Sequence, residues 1–399
     1  MFTPQFKQYT DMLQQYRPFW QVLPFACNTL PWQGTAVQQL LQQLTESQLA
    51  ALEQDPVAQQ QLFQPFFPAL FQLPEPDKVG GKTAVPLPAL PFWLENGIAG
   101  RKLLQIEALC QHWPQQPLPV LEWCAGKGHL GRILAHRFAQ PVVSVEWQQS
   151  LCEQGAQLAR QFQLSQQFIC ADVLLQPFSG VLVPQQQVVA LHACGQLHIS
   201  LLQQVVAAGC QRLQLVPCCY HLISDDHYQP LSALGQQTDL YLSKQDLKLV
   251  VQGQVTGGGR TERLRHTEVL WRLAYDELRK QLTGKKAYQP LASVAKHWFT
   301  TDFTAFANWA AQQHQLCLPP AFDAAPYLQR AGQRLLQVRK IELVRHLFRR
   351  PLELWLALDK AIYLQQHGYS VSLTEFCDYQ LTPRNLLLQA CKTADAVAC

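Results

Sequence analysis

Five short apolar runs between residues 119 and 217 constrain this chain more than any other feature. They are Pro119–Trp123, Val142–Glu146, Phe168–Asp172, Val188–His192 and Leu213–Pro217. The first, second and fourth runs are each followed by a stretch of helix length, such as Ile199–Ala208 after the fourth. Apolar strands alternating with helices form a parallel sheet with both faces covered. The expected fold is therefore α/β, with a Rossmann-like sheet at its centre.

The chain outside those runs sets the organisation. Its 399 residues suggest two or three structural units. At 48% hydrophobic and 15% charged it is not a disordered polymer. No apolar run reaches the roughly 18 residues of a membrane span, and Met1–Tyr16 does not read as a signal peptide. The 13 cysteines, with no CxxC pair, suit free thiols in a reducing cytosol, so a cytoplasmic protein is expected.

Residues 1–96 read as an N-terminal helical region. Val37, Leu40, Leu41, Leu44, Leu49 and Leu52 form one stripe, and a Pro-rich linker with Gly80-Gly81 follows. Residues 97–255 carry a helix from about Arg101 to His112 and then the five strands. Residues 256–350 are helical in pattern and hold 16 Lys and Arg against 7 Asp and Glu, a local charge of +9 inside a total of +4. Residues 351–399 read as a last helix, Leu352–Gln366, and two strands, Tyr369–Phe376 and Asn385–Cys391.

The first strand runs into Glu122-Trp-Cys-Ala-Gly126-Lys127-Gly128-His-Leu-Gly131, which opens a helix. Glycines there let backbone approach a ligand and adopt positive φ. A strand-to-helix turn near the switch point of a parallel sheet is where such folds bind nucleotides. The GxGxxG match formally admits a dinucleotide. Glu146 ends the second strand and Asp172 the third. Three acids at three successive strand ends make one crevice, where Glu146 suits ribose hydroxyls. The alternative is that Glu146 and Asp172 are ordinary strand-end polar residues.

The turn resembles motif I of class I S-adenosylmethionine methyltransferases, with Cys124 in place of the first glycine. On that resemblance Glu122, Cys124, Ala125, Gly126, Lys127 and Gly128 line the amino-acid end of the cofactor, Asp172 lies near the adenine, and His192 also contacts the cofactor. Further segments resemble the methyltransferase-domain-13 group, which includes methyltransferase-like protein 25 and the ribosomal RNA adenine dimethylase domain-containing proteins. They are the CAGKGHLGR turn, Leu191-His192-Ala193-Cys194-Gly195, Cys218-Cys219-Tyr220-His221 and Leu381-Thr-Pro383-Arg384-Asn385. Gln196 stands where relatives often carry Asp. The HxCG and CCxH segments are also similar to those of a family of tRNA ribose 2′-O-methyltransferases. The resemblance implies an S-adenosylmethionine-dependent methyltransferase, with RNA the leading substrate and a protein side chain second. A non-catalytic cofactor-binding RNA adaptor is the reading from outside enzymology. It also makes 256–350 an insertion before the last helix and β-hairpin.

His192, Cys194, Cys218, Cys219, Tyr220 and His221 are the candidate catalytic residues. His192 or His221 could act as a base. Cys218 or Cys219 could be a nucleophile. His192, Cys194, Cys218 and His221 could hold zinc, although adjacent cysteines are poor ligands within one loop. Plain packing under the cofactor is the bland alternative. Methyl transfer needs no metal, and none is expected.

In the basic segment, Arg260, Arg263, Arg265, Arg279, Lys280, Lys285 and Lys286 precede a second cluster from Arg334 to Arg350. Trp271, Tyr275, Trp298, Phe303, Phe306 and Trp309 are interleaved. Cations gather phosphates and exposed aromatics stack on bases, so RNA is the expected partner. The competing arrangement puts the cations outside and the aromatics in a core.

Overall fold

The computed structural model describes residues 2–78, 87–114, 116–175, 180–252 and 259–393. The expected turn at Gly80-Gly81 lies outside the described residues. The chain divides into two units. Residues 1–14, 73–251 and 350–399 make one, and residues 15–72 and 252–349 make the other. The N-terminal 96 residues, expected as one region, are therefore shared between both units. Segment 252–349 is inserted in the first unit's sequence and forms the second unit with residues 15–72.

The first unit is built on eight strands: β1 Asp77–Lys78, β2 Val120–Trp123, β3 Val142–Glu146, β4 Gln166–Cys170, β5 Gln187–Cys194, β6 Arg212–Cys218, β7 Tyr369–Glu375 and β8 Leu386–Lys392. Their order is β1-β7-β8-β6-β5-β2-β3-β4. All neighbours are parallel except β8, which is antiparallel to β6 and β7. The chain moves outward from β2 through β3 to β4, then returns to β5 on the other edge of β2. The switch point thus lies between β2 and β5, and it opens a crevice at their C-terminal ends.

Burial follows from this placement. Every residue of β2 and β6 is buried, as expected for strands covered on both faces. Leu121 pairs with Val143 on one side and Val188 on the other. The helices Gly100–Cys110 and His129–Phe138 supply Ile106, Leu109, Leu130, Ile133 and Leu134 to the core against Val120, Val189 and Val216.

Two strand ends differ from the sequence reading. The third strand stops at Cys170, so Asp172 lies two residues beyond it. The fourth runs on to Cys194, so His192 lies inside it, at a bulge where the pairing with β6 shifts register between Leu191 and Ala193. Bulges re-aim side chains next to active sites. The helices Gln196–Ala208 and Arg349–Gln366 and the β7–β8 pair stand where the sequence placed them, within a few residues. Eleven described cysteines are free, and Cys391, against the expectation of free thiols throughout, is disulfide-bonded. Among the described residues no helix is long and apolar enough to cross a membrane.

The last helix of this unit is anchored by a buried polar network. Asp359 accepts from Tyr228 Oη at 2.7 Å, Leu231 N at 2.8 Å, Ser232 N at 3.0 Å and Ser232 Oγ at 2.6 Å. Lys360 is fully buried; it donates to Tyr228 Oη and Leu356 O and sits 5.0 Å from the Tyr220 ring. Burial pushes its ammonium down to about 8, against the opposing pull of Asp359.

The second unit is helical. The helices Gly259–Thr283, Phe303–Gln313 and Ala325–Arg345 share a core of Trp271, Tyr275, Phe303, Phe306, Tyr327, Leu335 and Val338. Asp276 sits in it and receives Arg279, Lys280 and Arg334 at 2.8–2.9 Å. Burial alone raises its pKa, but the bonds from Lys280, Arg279 and Arg334 outweigh it and hold the carboxyl below its usual value.

Replacing Asp359 by Ala strands three buried donors and an uncompensated lysine. We expect a loss of about 3–5 kcal/mol in unfolding free energy, measured by urea titration. A change below about 1 kcal/mol would mean that the network does not anchor the helix.

Candidate active site

The crevice begins where β2 ends. Cys124 leaves the strand with φ +55, Gly126 follows with φ +60, and Gly128 caps the helix His129–Phe138. An added Cβ at Gly126 would meet nothing within 4 Å, so this point of the turn faces open space. Gly131 is the reverse case. Its Cβ would fall 2.5 Å from Glu122 Oε2 and 2.6 Å from Gln166 Nε2, so only glycine lets the helix lie this close to the strands.

Glu122 lies beneath the turn. It is 3% exposed and accepts from Ser144 Oγ at 2.7 Å. Gln166 Nε2 donates to Ser144 Oγ and to Gly128 O, tying β4 to the loop. Burial pushes the Glu122 carboxyl up to about 7, opposed by the Ser144 hydrogen bond and the Lys102 charge. Glu122 thus braces the turn from below.

Glu146, at the tip of β3, accepts from Gly126 N at 2.9 Å through one oxygen and from Gln148 N at 3.1 Å through the other. Each oxygen keeps a second acceptor position. Asp172 is exposed and caps its own turn, accepting from Leu174 N at 2.9 Å. Sequence reasoning passed over three exposed apolar residues here: Trp147, directly after Glu146, and Leu174 and Leu175, after Asp172. An aromatic directly after a strand-ending acid was the available signal.

The second cluster stands at the tips of β5 and β6. His192 adopts φ +65. Its Nε2 lies 2.8 Å from Gln105 Oε1, on the helix Gly100–Cys110. An amide oxygen only accepts, so Nε2 carries the proton and Nδ1 keeps its lone pair. Nδ1 is buried without a partner. Burial pushes the imidazole down to about 3, helped by Lys102 and Arg384, so it is neutral at physiological pH.

Cys194 pairs in register with Cys218, and their sulfurs lie 3.1 Å apart. Cys219 follows at φ +46. Hydrogen bonds from Cys194 and Cys218 pull the Cys219 thiol down, and Cys218 is pushed up by the same bonds and by burial. Burial, then the Glu146 charge, then Cys194, raise the Cys124 thiol to about 12, so the two halves of the crevice meet electrostatically at Cys124. His221 is half-buried, its Nδ1 has no partner, and burial lowers its pKa.

Tyr220 does not border the crevice. It is 1% exposed, stands edge-on to His198 and rests over Lys360. Gln105 was not found from sequence, and Lys102 only as the end of the Gly97–Lys102 stretch, which resembles the methyltransferase-domain-13 group's lead-in to the first helix. They lie about 90 residues before His192.

The family model of a methyltransferase domain matches residues 101–226, from the helix bearing Lys102 and Gln105 to just past the β6 tip. Similar solved structures include a TehB-like SAM-dependent methyltransferase from Corynebacterium glutamicum, at 12% identity over 28% of this chain and 61% of that one, with a TM-score of 0.23. Geranyl diphosphate C-methyltransferase from Streptomyces coelicolor aligns at 13% identity over 45% and 65%, with a TM-score of 0.26. The YcgJ protein from Bacillus subtilis aligns at 11% identity over 73% and 98%, with a TM-score of 0.28. The chain spans about three fifths of the first of these and two thirds of the second. No curated protein matches it. The methyltransferase-domain match covers the residues that build the crevice, and the sheet around it is Rossmann-like.

The Glu122 carboxyl gives a stability test. Its folded pKa near 7 exceeds the ordinary 4.5, so the folded chain holds a proton that the unfolded chain has lost between those values. Stability then falls as pH rises from about 4.5 to about 7, by at most about 3 kcal/mol from this group. Glu122→Gln should flatten that part of the pH profile in denaturant melts. An unchanged slope would place the Glu122 pKa near its ordinary value.

Proposed function

We propose that this chain is an S-adenosylmethionine-dependent methyltransferase whose acceptor is RNA. The observation that carries the donor assignment is Glu146 at the tip of β3, beside the open face of the Gly126 turn. Glu146 would accept from the ribose hydroxyls. Trp147 would cover the adenine, with Asp172 beyond it. Cys124, Ala125, Gly126, Lys127 and Gly128 would face the amino-acid end, and Glu122 would hold their turn in place.

The sulfonium is a strong methyl donor, so the protein mainly positions the acceptor and takes its proton. A bound donor would supply the methyl group and leave as S-adenosylhomocysteine with the bond pair on sulfur, and the acceptor's proton would pass to a base of this chain. His221, half-buried with an unpartnered Nδ1, suits that role. His192, held by Gln105 and pushed down to about 3, is too weak a base at neutral pH and would border the acceptor instead.

RNA as acceptor is supported by the resemblance of the HxCG and CCxH segments and by segregated charge. Not all of the basic segment is available. Trp271, Tyr275, Phe303 and Phe306 are core residues, which corrects the expectation that they stack on bases. Arg279, Arg334, Lys340 and Arg345 are buried as well. Arg260, Arg263, Lys285, Lys286, Lys296 and Arg330 remain exposed and would meet phosphates.

Transfer of a labelled methyl group to total RNA and, separately, to total protein from cells lacking the gene tests the reading. Label in one RNA size class is the expected result. Label confined to protein would replace RNA with a protein side chain, and donor binding without any label would favour the non-catalytic adaptor. Glu146→Ala should weaken donor binding at least about 10-fold by calorimetry. His221→Ala should leave donor affinity nearly unchanged and slow transfer about 100-fold or more. Unchanged transfer in His221→Ala would remove it as the base.

A further inference from the structure

We infer that Cys194, Cys218 and Cys219 form a three-thiolate binding site for a zinc ion. This goes beyond the methyl-transfer reading, which needs no metal, and stands apart from the identity of the acceptor. The three sulfurs all lie within 4.8 Å of one another, with 3.1 Å between Cys194 and Cys218. Tetrahedral zinc with bonds of about 2.3 Å sets its sulfurs about 3.8 Å apart, inside that range.

The backbone explains how adjacent cysteines join one site. Along an extended strand successive side chains point to opposite faces, so Cys218 and Cys219 should diverge. Cys219 instead turns left-handed at φ +46, which ends the alternation and brings both sulfurs to one side. The in-register pairing of Cys194 with Cys218 across β5 and β6 supplies the third. The bulge at His192, also left-handed at φ +65, lies two residues before Cys194 and re-aims this strand tip. Left-handed non-glycine residues are strained and gather at functional sites, and here two of them flank three thiols.

The donor set differs from the one suggested by sequence, which paired His192 and His221 with Cys194 and Cys218. Among the described residues, no imidazole nitrogen or carboxylate oxygen joins the three sulfurs in the same close group. The fourth position is left to water or to an exogenous ligand, the arrangement of zinc sites that are not closed. Cys194 and Cys219 are half-buried, so an ion can reach the site from the crevice side. Thiols bind zinc as thiolates, so loading releases up to three protons to buffer and involves no redox change.

The test uses the full chain, purified under reducing, anaerobic conditions and stripped with a chelator. Zinc chloride is titrated against a chromophoric competitor, and cobalt(II) is added in parallel as a spectroscopic probe. One equivalent of zinc per chain is expected, with a thiolate-to-cobalt charge-transfer band in the near ultraviolet. Cys219→Ser should weaken zinc binding about 100-fold and shrink that band. Cys317→Ser, at an exposed thiol of the helical unit, should change neither. Absence of stoichiometric zinc, equal affinity in Cys219→Ser, a loss in Cys317→Ser, or a Cys194–Cys218 disulfide in the reduced preparation would each overturn the site. Because the readout is metal binding, a failure here leaves the methyl-transfer result to be judged by label alone.

Discussion

The site hangs from β2, the strand paired in parallel along both edges, with β3 on one side and β5 on the other. That double pairing brings the C-terminal ends of these strands into one crevice, because parallel neighbours end on the same side. Glu146 then comes within hydrogen-bond reach of the Gly126 amide, and Cys124 within electrostatic reach of Cys194. If β2 slipped by one residue, its side chains would exchange faces and Glu122 would no longer lie beneath the turn.

Three of the six left-handed non-glycine residues among those described stand at the same strand tips. Cys124, His192 and Cys219 all adopt left-handed backbone without being glycine, at about 1–2 kcal/mol each. The surroundings hold them there. Gln105 fixes His192, and Gly195 N and Gln196 N donate to Cys218 O and Leu222 O, stitching the tip of β5 to the chain after β6. Beneath them lies the Tyr220, Lys360 and Asp359 network, which ties the end of β6 to the last helix. The crevice therefore rests on a polar support that is almost wholly buried.

The helical unit shows why a charge count overstates a surface. The +9 of residues 256–350 is real in sequence, yet Arg279 and Arg334 are spent on Asp276, Arg334 also on Glu277, and Arg339 on Glu46 and Glu53. Residues far apart in the chain neutralise one another only after folding. The aromatics obey the same rule: Trp271 and Phe306 recur at spacings that fit a stacking platform or a core, and packing chose the core.

The alternation of apolar runs and helices determined the parallel sheet by itself, because strands buried on both faces read as continuous apolar stretches that few other structures tolerate. The acids and glycines next to those runs were legible for the same reason: a strand end is a local event. What only the tertiary structure decided was how side chains from separate segments meet. Gln105 and Lys102 reach the site from a helix remote in sequence. Asp172 falls past its strand, and Tyr220 turns into the core although its neighbours line the crevice. Cys219 joins Cys194 and Cys218 only through a left-handed turn. Sequence spacing carries side-chain direction while the backbone stays regular, and at these positions the backbone is bulged, turned or assembled across the sheet.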